Sequence, residues 1–159
     1  MSRAAARTPE PPPGEPFDWF IRIPNRLELM RSVRALLAAT CESHGVDEEA
    51  TQEILLAVSE IVNNSIEHVE GRGGSGYHEV DVRFGISEGR AVGRILDEGE
   101  GGIDQSAFTG AAAPSLDSDR GRGLVLIREY VDELRVTPIP GVGTEIRFVK
   151  RLRGGGGRA

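Results

Sequence analysis

The chain has 159 residues, of which 38% are hydrophobic, and this composition fits one domain with an ordinary apolar core. The net charge of −6 disfavours a general nucleic-acid binder, because neutralising phosphates requires a basic face. The single cysteine, Cys41, permits no internal disulfide, and no apolar run approaches the roughly 18 residues of a membrane span. We therefore expect a soluble cytoplasmic domain that contacts neither membranes nor nucleic acid directly.

The two ends of the chain differ in composition from its middle. Residues 1–15 are rich in proline and nearly free of large apolar side chains, which predicts a disordered tail. The domain is expected over residues 16–152, and the glycine-rich residues 153–159 predict a second flexible tail. Within the domain, residues 17–23 are aromatic and β-branched and end at Pro24, which indicates a strand.

Two amphipathic helices are predicted next. Asn25 is a candidate cap for the first helix, whose apolar residues recur at three- and four-residue steps up to Cys41 and which Gly45 ends. Asp47 is a candidate cap for the second helix. The predicted core stripe of the second helix consists of Ile54, Val58, Ile61, Val62, Ser65 and Val69.

The second half of the chain reads as strands, loops and one further helix. All but two of the 21 glycines follow residue 70, and the first of these form a predicted loop at 71–76. Residues 78–86 and 90–97 alternate apolar and polar side chains around a short turn, which predicts a β-hairpin. Beyond a longer loop, the pattern predicts a helix at 124–130, a strand at 131–137, a turn at 138–143 and a strand at 144–152. This order predicts an α+β fold, an α/β sandwich whose helices cover one face of a mostly antiparallel sheet.

The second predicted helix carries a polar stripe. Glu60, Asn64 and His68 are spaced four residues apart and therefore lie on one side of the helix, beside the apolar face. A carboxylate, an amide oxygen and an imidazole suit a hard cation and a proton acceptor. Taken alone, the stripe is also compatible with a solvated helix edge.

A carboxylate also stands at the end of a predicted strand. Asp97 closes an apolar run and is followed by glycines at alternate positions, Gly99 and Gly101. Backbone without side chains permits close approach of a flat ligand, and the carboxylate can accept a hydrogen bond from an exocyclic amine such as that of adenine. A tight turn capped by the aspartate is the alternative.

A third pattern has two glycines at a predicted helix start. Gly121 and Gly123 open directly into the helix, whose free N–H groups and dipole favour an anion. The pattern fails the dinucleotide fingerprint, because Leu126 occupies the third glycine position. A Walker A phosphate loop is excluded, because the only lysine, Lys150, does not follow a glycine. The glycines before Thr144 signal by themselves only a hairpin.

The four patterns follow one another in a specific order: Glu-x-x-x-Asn-x-x-x-His, Asp-x-Gly-x-Gly, Gly-x-Gly at a helix start, and Gly-Thr. In this order they resemble the GHKL ATPase superfamily with its Bergerat fold, a mostly antiparallel sheet with helices packed on one face. Within the superfamily, the chain is most similar to the anti-sigma factor serine kinases of bacterial partner-switching systems. The resemblance spans about residues 17–152.

The resemblance implies a role for each matching residue. Asn64 would coordinate Mg²⁺ between the ATP phosphates, and Glu60 would be the base that accepts the proton of the attacking hydroxyl. Asp97 would bind the amino group of adenine. The remaining implied nucleotide-binding residues are His68, Gly99, Gly101, Arg120, Gly121, Arg122, Gly123, Leu124 and Thr144. For the two arginines, a surface role is equally open.

The implied function is that of an ATP- and Mg²⁺-dependent protein-serine kinase that is also an anti-sigma factor. It would phosphorylate a serine of an anti-anti-sigma (STAS-type) protein and sequester a sigma factor, and a homodimer is implied by family analogy. The alternative is a non-catalytic, nucleotide-gated module that regulates a protein partner by contact alone. A histidine kinase half is disfavoured because no upstream helical pair could carry a phospho-accepting histidine, and a DNA-binding helix pair is disfavoured by the acidic charge.

Overall fold

The computed structural model describes residues 14–70, 78–97 and 127–153. The strands in these ranges are β1 (Trp19–Pro24), β2 (Glu79–Ser87), β3 (Arg90–Asp97), β4 (Glu133–Ile139) and β5 (Gly143–Arg151). The α-helices α1 (Met30–Ser43) and α2 (Glu48–Glu70) lie between β1 and β2 in the chain, and residues 127–130 are also helical. Within the described ranges, no helix is both long and apolar enough to cross a bilayer.

The five strands form one sheet in the order β1-β2-β3-β5-β4, and every neighbouring pair is antiparallel. Helix α2 packs against α1 and against the central strands β2 and β3. We call the side of the sheet that faces α1 and α2 the inner face, and the opposite side the outer face. This arrangement confirms the predicted α+β sandwich.

The inner face carries the apolar core. Side chains alternate between faces along each strand, so the fully buried Phe84, Ile95 and Phe148 point to the same side as the helices. The ring of Phe148 lies against Gly93 of the neighbouring strand, where an added Cβ would approach it to 2.1 Å. The fully buried residues that α1 and α2 contribute are Val33, Leu37, Cys41, Ile54, Ala57, Val58, Ile61, Val62, Ser65 and Ile66.

The two helices start in different ways. Asp47 caps α2 as predicted, because its Oδ1 accepts a hydrogen bond of 2.8 Å from the backbone N–H three residues later. The prediction that Asn25 caps the first helix is wrong: a 3₁₀ turn at Leu27–Leu29 precedes α1, and no side chain caps either element. The Asn25 side chain instead accepts a long hydrogen bond of 3.5 Å from the N–H of His78, just before β2.

Both predicted hairpins are present. The turn between β2 and β3 has two central residues with positive φ, Glu88 at 49° and Gly89 at 70°, as a type I′ turn requires. In the second hairpin, β4 continues through Pro138 to its end at Ile139, so the predicted start of the turn at residue 138 is wrong. A proline is tolerated there because β4 is the edge strand of the sheet that the described residues form.

A short segment before β1 covers part of the outer face. Residues 14–18, which we call the strap, run from β5, where Glu15 pairs with Arg147, to the edge of β2, where Asp18 N–H donates to the carbonyl of Phe84 at 2.9 Å. The next residue, Trp19, points back to the inner face. Its indole N–H donates to Thr40 Oγ1 of α1 at 2.8 Å, and its ring centroid lies 5.7 Å from that of Phe84.

Candidate functional site

Glu60 and Asn64 lie one turn apart on α2, at the border of its buried face. Both are half-buried, whereas Ile61 and Val62 beside them are fully buried. The polar stripe that the spacing predicts is therefore present at these two positions. Within the described ranges, no hydrogen bond or ion pair engages the Glu60 carboxylate, so it can accept a proton from an incoming group.

The amide of Asn64 has an unsatisfied polar atom. Its side-chain nitrogen is buried and has no hydrogen-bond partner among the described residues. Buried polar atoms are nearly always satisfied, and an exception in a folded protein commonly marks a place for a ligand or water. Turning the amide by 180° puts its oxygen at the same place, and amide oxygens are ligands for hard cations. Asn64 thus fits a role as a ligand of Mg²⁺.

Asp97 and Thr144 form a buried polar pair on the inner face. They are Cα partners across β3 and β5, and each is only 2% exposed. Val80 of β2 belongs to the same cross-strand row, so the row changes from apolar to polar where β3 ends. A carboxylate buried to this extent costs free energy unless hydrogen-bond donors meet it. Asp97 thus lies buried at the end of β3, and its role as the acceptor for adenine stays a prediction.

Glu60 and Asn64 lie on α2, and Asp97 lies on β3. These elements pack against each other, since α2 lies on β2 and β3. The described ranges contain no cluster of three or more His, Cys, Asp or Glu side chains that could hold a metal ion. A cation at Asn64 would therefore take most of its ligands from phosphate oxygens and water, which is the usual coordination of Mg²⁺ at nucleotides. The residues present fit a metal that arrives together with a nucleotide.

Several predicted site residues lie outside the described residues. They are Gly99, Gly101, Arg120, Gly121, Arg122, Gly123 and Leu124, together with the side chain of His68. The described chain resumes at Ile127, which is fully buried, and the helical residues 127–130 end at Tyr130. The roles of the undescribed residues therefore stay predictions.

A contact between the helices that sequence reasoning missed lies beside Glu60. Arg34 of α1 donates from Nη1 to Ser59 Oγ of α2 at 2.7 Å, and the Ser59 hydroxyl donates to the carbonyl of Leu55 at 2.6 Å. This contact ties α1 to the residue immediately before Glu60. Arg34 follows the core residue Val33 in the sequence, but that position alone does not indicate which helix it reaches.

Lys150, the only lysine of the chain, contacts two other elements of the fold. Lys150 of β5 donates from Nζ to the carbonyl oxygen of Tyr130 at 2.9 Å and forms an ion pair with Glu53 of α2. It therefore ties residues 127–130 to α2. The charge of a nucleotide must be neutralised by other groups, as the absence of a Walker A motif indicates.

Comparison with known proteins adds the family context of this geometry. A model of the histidine kinase-like ATPase domain matches residues 23–150. The chain is 28% identical over 140 residues to the serine-protein kinase RsbW of Bacillus subtilis, covering 84% of this chain and 85% of the relative. It is 30% identical over 125 residues to the anti-sigma F factor of Thermoanaerobacter sp., covering 75% and 82%.

The fold also matches a solved structure. It is similar to the crystal structure of the RsbU and RsbW domains of a Mycobacterium tuberculosis protein, with a TM-score of 0.58 and 21% sequence identity. The match covers 84% of this chain and 31% of the other polypeptide, so this chain corresponds to about a third of that protein. At this identity the likeness shows the fold alone.

Proposed function

The chain belongs to the histidine kinase-like ATPase family, and we propose that it is a protein-serine kinase that uses ATP with Mg²⁺ and also binds a sigma factor. One observation carries the catalytic part of the proposal: Glu60, with no partner in the described ranges, stands one turn before Asn64 on the helix that packs on the strand ending at Asp97. This is a base, a cation ligand and an adenine acceptor on two facing elements. The names of the relatives, serine-protein kinase and anti-sigma factor, support the same function.

In the proposed mechanism, the residues divide between binding and proton transfer. The buried Asp97 accepts the hydrogen bond of the adenine amino group, and Thr144 beside it completes the acceptor site. Asn64 holds Mg²⁺, which neutralises phosphate charge when it is bound. The Glu60 carboxylate takes the proton of the substrate serine while the serine oxygen forms the new bond to the γ-phosphorus, and the bond to the leaving ADP breaks.

The proposed partners follow from the relatives. The serine would belong to an anti-anti-sigma (STAS-type) protein, and phosphorylation would release that protein and leave the sigma factor bound to the kinase. Both partners are cytoplasmic by nature, so we place the protein in the cytoplasm. A homodimer is proposed by analogy with the family alone.

The test is phosphate transfer from radiolabelled ATP onto anti-anti-sigma proteins of the same genome. We expect Glu60→Gln to lower the turnover rate by about 10²- to 10⁴-fold with unchanged ATP affinity, the usual range for loss of a general base. Asn64→Ala should lose the Mg²⁺-dependent part of ATP binding. Glu49→Gln, an exposed change in the first turn of the same helix, is the matched control and should leave transfer unchanged.

Two results would contradict this function. Phosphate transfer by Glu60→Gln at the wild-type rate would show that Glu60 is not the general base. A wild-type protein that binds both ATP and its partners but transfers phosphate to none of them would instead be the non-catalytic, nucleotide-gated module.

A further inference from the structure

The outer face of the sheet carries a row of four arginines. Arg83, Arg94, Arg147 and Arg135 are consecutive Cα partners across β2, β3, β5 and β4. Like charges directly opposite each other on one face of a sheet are destabilising unless anions lie between them. A row of this kind is unexpected in a protein whose net charge is −6. We call it the arginine row.

The anions that meet the middle of the row leave part of it unsatisfied. Glu15 of the strap pairs with Arg147 Nε and approaches Arg94 Nη1 to 3.9 Å, and Glu145 pairs with Arg94 Nη2. Arg94 is only 11% exposed, yet its Nε and Nη1 are buried without a hydrogen-bond partner in the described ranges. Glu15 Oε2 is the atom that approaches Arg94 Nη1 to 3.9 Å, so these two atoms form an ion pair without a hydrogen bond. Since buried charged donors are costly when unpaired, the row has capacity for a better-fitting carboxylate.

The groove beside the row is shaped for an extended backbone. A Cβ on Gly85 would lie 2.3 Å from the carbonyl oxygen of Pro16 and 2.7 Å from Cα of Phe17, so only glycine permits the strap to lie this close. The strap is anchored at its other end through Asp18. Its Oδ2 accepts the backbone N–H of Ile86 at 2.9 Å and lies 3.0 Å from His44 Nε2.

In this groove the strap places two carboxylates three residues apart, Glu15 and Asp18, and the backbone between them lies against Gly85. We propose that this groove is a docking site for an acidic, extended segment of a protein partner, and that the strap is its intramolecular occupant, which the partner segment displaces. Charge complementarity favours this occupant: Glu15, Glu145 and Glu133 already lie beside the arginine row, yet Arg94 Nε is still buried without a hydrogen-bond partner in the described ranges. The groove lies on the face opposite Asp97 and Thr144, so docking there does not depend on the proposed kinase activity.

The test uses the full chain and a labelled peptide of its own residues 12–19 as the probe. Glu15→Arg puts a like charge on the strap and should free the groove, so we expect the peptide to bind this variant about ten-fold more tightly than the wild type. A peptide in which Glu15 is replaced by Gln should lose that binding. Glu28→Arg, the same charge change at an exposed position of the 3₁₀ turn, is the control and should bind like the wild type.

Further variants test whether the gain in peptide affinity depends on the arginine row. In the Glu15→Arg background, adding Arg147→Gln should remove the gain in peptide affinity. If Glu15→Arg unfolds the protein, Glu15→Gln replaces it in the test. This variant should also bind the peptide more tightly than the wild type, by a smaller factor. Equal peptide affinity of the wild type and the Glu15 variants would overturn the proposal. Concentration-dependent dimers of Glu15→Arg that the peptide dissociates would assign the groove to a second copy of this chain and would also overturn it.

Discussion

The inner and outer faces of the sheet are built from alternate residues of the same strands, yet different forces hold them. On the inner face, the cross-strand row of Phe84, Gly93 and Phe148 buries apolar surface against the helices. On the outer face, the next rows pair arginines with carboxylates, as between Arg22 and Asp81. The difference teaches that apolar burial holds the inner face, whereas charge pairing holds the outer face, where one carboxylate can replace another as the partner of a buried or half-buried arginine.

The largest difference between the faces is expected for two phenylalanines. Phe148→Ala on the inner face should lower the free energy of unfolding by about 3–5 kcal/mol, because a fully buried ring is lost. Phe20→Ala on the outer face removes a ring that is 48% exposed and lies 5.0 Å from the Arg83 guanidinium, and should cost at most about 1 kcal/mol. Denaturant unfolding of both variants measures the difference, and equal losses would contradict the comparison.

Substitutions of two buried aspartates, Asp97 and Asp81, should affect different properties: ATP binding in the first case and the free energy of unfolding in the second. Asp97→Asn on the inner face should weaken ATP binding by about ten- to a hundred-fold, because the acceptor of the adenine amine loses its charge. Asp81→Asn on the outer face should leave ATP binding unchanged and lower the free energy of unfolding by about 1–3 kcal/mol, since Arg22 loses its charged bidentate partner.

Calorimetric titration with ATP and denaturant unfolding measure the two effects of these aspartates. The Asp81 variant is the natural control for the Asp97 variant, because each aspartate is 2% exposed and each lies in a central strand. ATP affinity that falls to the same extent in both variants would show that the inner face has no special role in adenine binding.

The smallest expected effect concerns the thiol on the helix side. Burial raises the pKa of Cys41 above its ordinary value of 9.0, because the thiolate is disfavoured in the apolar core. The unfolded thiol then ionises first, so stability from this group is present below pH 9 and is lost as the pH rises further, by at most about 1.4 kcal/mol per pH unit. Unfolding from pH 8 to 10 should show this slope in the wild type and not in Cys41→Ala. Rapid alkylation of the native thiol at pH 9 would argue against a dry core.

The features that sequence reasoning predicted are those that a local pattern encodes. Alternation along residues 78–97 and the four-residue step from Glu60 to Asn64 define which side of a strand or helix each side chain occupies. The same reasoning failed at Asn25 and Pro138. The Asn25 side chain accepts its hydrogen bond from His78, which is distant in sequence, and Pro138 is tolerated because β4 is an edge strand of the described sheet.

The long-range contacts could not be predicted in this way. Glu15 and Arg147 are 132 residues apart, and they meet because the strap crosses the outer face from β2 to β5. The pairing of Asp97 with Thr144 has the same origin, since β3 and β5 are not consecutive strands. Strand order follows from how the whole sheet buries its inner face, and no window of residues contains that information.

The placement of the single tryptophan has a practical consequence. Trp19 directly follows the strap, and its indole is held between α1 and Phe84. Its intrinsic fluorescence is therefore a label-free reporter at the junction of the two faces. A shift of its emission to longer wavelength would follow detachment of the edge strand, whereas a strap that leaves without disturbing β1 would change the emission intensity alone. Stopped-flow fluorescence can thus time the exchange on the outer face in the unmodified protein.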